Sequence, residues 1–170
     1  MNHKLTTETS KGKLLKKYNP HSLMLSIPKT IKTIEDAIDD KTTGTLNSVK
    51  RESDLNTIEA ILIGWLIHLN QLLDLKRPMT SLQIEIASSM IFQEYGSLKF
   101  SDLSLLFNQI IKGQHGSFYE SLGIDKIMKI FQDYFNQRCE VGMNRSISKN
   151  IETKQGLAEV STERKSNKYQ

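Results

Sequence analysis

One cysteine, Cys139, stands in 170 residues. An intrachain disulfide is therefore excluded, and a structural zinc site would lack its usual thiolates. The same scarcity fits a reducing, cytoplasmic setting. The amino-terminal run MNHKLTTETSKGKLLKK has no apolar centre, so it does not read as a secretory signal. The most apolar run, IEAILIGWLIHL at residues 58–69, contains Glu59 and His68. It falls short of the roughly 20 apolar residues that a membrane-crossing helix needs, and no membrane association is expected. There is no β-alternating run of useful length, no internal repeat, no P-loop and no G-x-G-x-x-G.

Charge is unevenly placed. Residues 1–53 carry a net +4, residues 54–140 a net −3, and residues 141–170 a net +3. The basic balance therefore belongs to the ends, and an acidic centre does not resemble a DNA-binding domain with one large cationic face. Basic ends can still attract anionic partners through screened charge, although charged tails are ordinarily just solvated.

Apolar residues concentrate in residues 54–140, a stretch long enough to bury a core. Residues 1–19 show no periodicity and read as a disordered segment. Ile27, Ile31, Ile34 and Ile38 then fall on one helical face and predict a helix over about 28–39, with Pro28 in its first turn. Residues 39–53 read as a linker around Gly44. Ile58, Ile61, Leu62, Trp65, Leu66, Leu69, Leu72 and Leu73 predict a strong second helix, capped by Ser53 or Asp54. Ile63 and Ile67 interrupt its polar stripe, so it reads as central or as covered by another segment, for which the helix at 28–39 is the natural cover.

Thr80 and Gln83 have capping-box spacing and open a third helix to about Glu94, with Leu82, Ile86, Ala87, Met90 and Ile91 on its inner side. Ser101 is placed to cap a fourth, with Leu103, Leu106, Phe107 and Ile110 inward and Gly113 as its terminal glycine. Ile124, Ile127, Met128, Phe131, Tyr134 and Phe135 define a last helix, with Asp125 and Lys129 as an i, i+4 pair. Its pattern stops near Cys139, and residues 141–170 read as a flexible tail. The expected architecture is all-α, a compact bundle of about five helices at residues 20–140 with basic disordered ends.

Catalysis needs convergent polar groups, and the sequence offers no such set. None of His3, His21, His68 and His115 has the i, i+4 partner of a helical zinc site. His68, on the edge of the most apolar helix, reads as a packed core histidine. Cys139 lies near a helix C-terminus, where the dipole disfavours a thiolate. Glu85, Glu94 and Asp102 read as isolated or capping groups. An enzyme is not expected, nor a metal or cofactor. Gly113-Gln114-His115-Gly116 is a G-x-x-G, the loop with which KH domains clamp a nucleic-acid backbone. The plainer reading is a helix C-cap and a tight corner. Residues 80–112 read as helix-turn-helix, but Ser101, Asp102 and Ser104 are the wrong chemistry for a base-reading helix, so that pair reads as packing.

The segments YGSLKFSDLSLLFNQIIKGQHGSFYESLG and FQDYFNQR, within residues 58–138, resemble small all-helical proteins of phages and mobile elements of gut bacteria. That resemblance supplies no catalytic residues to carry over. The order of a helical domain and a flexible basic tail is also similar to phage replication accessory proteins of the helicase-loader type. It implies a non-enzymatic adaptor in phage or mobile-element DNA metabolism, with a replicative helicase as its protein partner. The expected partner surface is the corner of Lys99, Lys112, Gln114, His115, Tyr119 and Glu120. Two alternatives stand beside it: direct nucleic-acid binding through the basic tails and the Lys112–Gly116 corner, and a structural or oligomeric protein of a phage particle.

Overall fold

The computed structural model describes residues 9–116 and 121–166, with side chains as far as residue 151 and at 153. Among them are eight α-helices: α1 (Ser10–Lys17), α2 (Pro20–Ser26), α3 (Ile34–Asp39), α4 (Leu46–Glu52), α5 (Leu55–Leu73), α6 (Ser81–Tyr95), α7 (Phe100–Ile111) and α8 (Ile124–Ser166). A 3-10 turn, Ile27–Lys29, follows α2. The described residues hold no strand, only isolated bridges at Thr45–Lys99 and Arg77–Ser121. The chain divides into two units, Met1–Phe135 and Asn136–Gln170.

The all-α expectation holds, but the helices outnumber the five expected and their roles differ. α5 packs against α1, α2, α4, α6 and α7, as a central helix does, but the most completely buried helix of the first unit is α7. Every residue from Phe100 to Phe107 is buried, polar ones included. Burial of polar groups is tolerated only where they find hydrogen-bond partners, and these come from distant segments. Ser101 Oγ lies 3.4 Å from Ala37 O, and its backbone N–H donates to Thr43 Oγ1. Asp102 Oδ2 accepts from Lys99 N at 2.8 Å, and its Oδ1 accepts from Tyr134 OH at 2.9 Å. Asp102 thus caps α7 from its third position while Lys99, not Ser101, stands at the N-cap.

Three segments outside the expected core supply the cover. Part of the segment 1–19, read as disordered for its lack of periodicity, is helical. Residues 1–8 lie outside the described residues, but Ser10–Lys17 is helical, capped by Thr9 Oγ1. Leu14 and Tyr18 are buried. The Tyr18 ring stacks on Phe100 at 4.1 Å, and its carbonyl accepts from Trp65 Nε1 at 2.9 Å. The helix expected at 28–39 is two pieces. Pro28 sits in the 3-10 turn, and Thr33, in extended conformation, starts α3 afresh through a capping box with Asp36. The first piece, with α2, packs on α7, and so does α3; neither covers Ile67 of α5, which stays 42% exposed.

The linker at 39–53 contains α4, whose Leu46 and Val49 are fully buried. It is fastened to the turn between α6 and α7 by Leu46 N–H to Leu98 O and Asn47 N–H to Gly96 O, both 2.9 Å. Gly44 is required there by closeness: a Cβ would meet Ser48 Oγ at 2.5 Å and Tyr18 OH at 2.9 Å.

α5 starts at the expected cap, Asp54, whose Oδ1 accepts from Thr57 N. The Thr80–Gln83 capping box of α6 is also present. The inward face of α6 is instead Ile84, Ala87, Ser88, Ile91, Phe92 and Tyr95, leaving Leu82 and Ile86 exposed. That set keeps the i, i+3, i+4, i+7 period but is rotated from the expected one, because Phe92 and Tyr95 supply the bulk that meets α4 and α8. α8 begins as expected, and Ile127, Ile130, Phe131 and Tyr134 are buried. Its ion pair from Lys129 goes to Asp133, not Asp125. In the second unit the helix runs on to Ser166 rather than ending near Cys139, so the expected flexible tail is helical as far as the described residues reach. Met143, Ile147 and Ile151 there are at least half exposed.

Candidate functional site

The end of α7 is built by local backbone bonds. Lys112 N–H donates to Asn108 O, Gly113 N–H to Ile110 O, and Gln114 N–H to Gln109 O. Gly113, at φ +74°, is the left-handed residue after the helix, as its sequence position predicts. Gly116 follows at φ +93°, its N–H donating to Gly113 O at 3.2 Å. Three of the four amides in Gly113-Gln114-His115-Gly116 are therefore already spent inside the protein. A KH-type clamp grips a nucleic-acid backbone with such amides, so that reading fails on geometry as well as on the lack of strands among the described residues.

This end of α7 borders a cleft of about 240 Å³ lined by Pro28, Ile31, Lys32, Leu105, Asn108, Gln109, Lys112 and Gln114. Pro28, Ile31 and Leu105 give it apolar surface. Lys32 reaches it from the segment before α3, where its backbone N–H donates to Asp36 Oδ2 at 2.9 Å as part of the capping of that helix. Those bonds, from Lys32 and then Thr33, hold the Asp36 carboxyl below its ordinary range. The lining thus carries two ammonium groups, three side-chain amides and no carboxylate. Its volume lies under the roughly 300–1,000 Å³ of sites for drug-sized ligands, so it suits one side chain or a small ion.

The six residues expected to form one surface are not together. Lys112 and Gln114 line the cleft. His115 is not among the lining residues; it is half-buried, with Nε2 3.3 Å from Gln109 Oε1. Burial lowers its pKa, against an opposing pull from Asp133. Tyr119 and Glu120 lie outside the described residues. Lys99 is at the other end of α7, and a 12-residue helix spans about 18 Å. Its ammonium is committed there: it donates to Ile38 O at 2.7 Å and to Asp40 O, closing the end of α3. Lys99 is a structural fastening.

Comparison with protein-family models, with curated proteins and with solved structures finds no match to this chain. The site therefore has to be read from its own chemistry.

Sequence reasoning missed Lys32, Asn108 and Gln109. Thr33-x-x-Asp36 is itself a capping signal that would have started a helix at Ile34 and set Lys32 outside it. His68 is half-buried, with His21 edge-on at 5.9 Å. Burial first, and then the His21 charge, lower its pKa. Among the described residues no group of three His, Cys, Asp or Glu could hold a metal ion, and no helix is long and apolar enough to cross a membrane.

Proposed function

We propose that the protein is a non-enzymatic helical adaptor that docks an acidic segment of a protein partner at the Lys32–Lys112 cleft. The observation that carries this reading is a cleft the size of one side chain, lined by two lysines, three side-chain amides and three apolar residues with no carboxylate. A carboxylate flanked by an apolar residue satisfies all three features, and Lys and amide donors give such contacts charge-assisted strength. The assignment to phage or mobile-element DNA metabolism, with a replicative helicase as the partner, rests on the sequence resemblance.

The test is affinity capture of the tagged protein from its own cells, with and without nuclease, beside a Lys32→Glu/Lys112→Glu variant. Both lysines are exposed, so helicity should be unchanged. A replication protein retained after nuclease and lost with the variant supports the adaptor. Partners that disappear on nuclease treatment, or that the variant keeps, refute it.

A further inference from the structure

A second cleft lies at the opposite end of α7, on a segment that reads in the sequence as a linker. Burial of Leu46 and Val49 and the bonds from Leu46 and Asn47 to the α6–α7 turn fix which way α4 faces. Lys50 and Arg51 are left exposed on it, and Ser97 is exposed on the turn. These three, with Thr45 and Asn47, line a cleft of about 530 Å³. Its lining contains no carboxylate and no apolar side chain.

Phosphate oxygens are held in proteins chiefly by Arg, Lys, Ser, Thr and Asn side chains. Each of the five lining residues is one of these. Two details shape the cleft further. The Lys50 ammonium stands 5.5 Å over the Phe92 ring, which restrains an otherwise free side chain. The Asn47 amide lies against Gly96, where a Cβ would strike its atoms at 2.6–2.9 Å, so only glycine leaves room for it. We propose that this cleft binds phosphate groups, either those of a nucleic-acid strand or free phosphate. The proposal is independent of the acidic-peptide cleft: the residues are different and the ligand charge is carried by phosphorus oxyanions.

The probe is a fluorescein-labelled single-stranded oligonucleotide of about 20 nucleotides, titrated with the full chain at several salt concentrations and followed by polarisation. Each neutralised phosphate contributes about 0.7 to the slope of log K against log salt for single strands, so Lys50→Gln/Arg51→Gln should lower the slope by about 1.4 and the affinity at 0.1 M salt by about 25-fold. Ser97→Glu, which adds a carboxylate on an exposed turn and removes no packing, should weaken binding as well. Inorganic phosphate is the second probe, at matched ionic strength, read by amide shifts of Asn47 and Ser97. Shifts with displacement of the oligonucleotide assign the cleft to free phosphate. Oligonucleotide binding that both variants weaken, without such shifts, assigns it to strand phosphates. A slope and affinity that neither variant changes, with no amide shifts from phosphate, overturn the proposal.

Discussion

Tyr18→Ala tests whether the amino-terminal segment belongs to the core. Tyr18 is 1% exposed, stacked on Phe100 at 4.1 Å, and its phenol oxygen accepts from Gly44 N–H at 3.3 Å. A buried aromatic side chain hides about 150–250 Å², which at about 25 cal/mol per Å² corresponds to about 4–6 kcal/mol. Unfolded chains already bury roughly 10–40% of such surface, which brings the expected loss to about 2–5 kcal/mol. That agrees with the roughly 3–5 kcal/mol measured for large aromatic truncations in cores. Tyr18→Phe keeps the ring and loses only the phenol contact, about 1 kcal/mol. Urea unfolding followed by tryptophan fluorescence suits both variants. Trp65 is the chain's one tryptophan, and its indole N–H donates to the Tyr18 carbonyl, so the reporter sits at the joint. A Tyr18→Ala loss below about 1 kcal/mol refutes the docking of α1 and restores the unstructured reading of that segment.

Tyr134→Phe removes the donor 2.9 Å from buried Asp102 Oδ1 and should cost about 1–3 kcal/mol in the same assay. Asp40 governs part of the acid limb. Burial pushes its carboxyl up, but hydrogen bonds from Thr42 and Thr43 outweigh it and bring the pKa from 3.8 to about 2. Since the folded value is the lower, its contribution is present above pH 3.8 and is lost as pH falls towards 2. Asp40→Asn should therefore flatten stability against pH in that window, and a limb unchanged from the parent would sink the assignment. Two glycines should respond with opposite sign to alanine. Gly64, inside α5 with nothing within 4 Å of where a Cβ would stand, should gain about 0.5–1 kcal/mol. Gly113, at φ +74°, should lose about 1–2 kcal/mol, as thermal melts of the two variants would show.

Where a helix is long and its caps are local, the sequence announces it. Asp54 before α5, the Thr80–Gln83 box of α6 and Gly113 after α7 are decided within a few residues of themselves. The illegible parts depend on distant partners. α1 has only Leu14 buried within it, and its place is set by Tyr18 meeting Phe100. α7 looks half-polar until Thr43 and Tyr134 are seen to satisfy Ser101 and Asp102. α8 beyond Cys139 remains helical although its sparse apolar row, Met143, Ile147 and Ile151, stays at least half exposed, so the polar composition hides it. The candidate site divides in the same way. Lys112 and Gln114 share a cleft because they adjoin one helix end, whereas Lys32 joins them only through the fold, and Lys99 leaves them for the far end.

The wrapping of α7 by earlier segments has a consequence for synthesis. Ser104 meets Leu23 across 81 residues of chain, and Tyr18 must wait for Phe100. At about 5–20 residues per second, the first helices leave the ribosome about 4–16 seconds before the helix they pack on has been made. Tyr18 is without its Phe100 partner for that interval. Nascent chains should therefore engage holding chaperones until residues near 110 emerge, and become protease-resistant only afterwards.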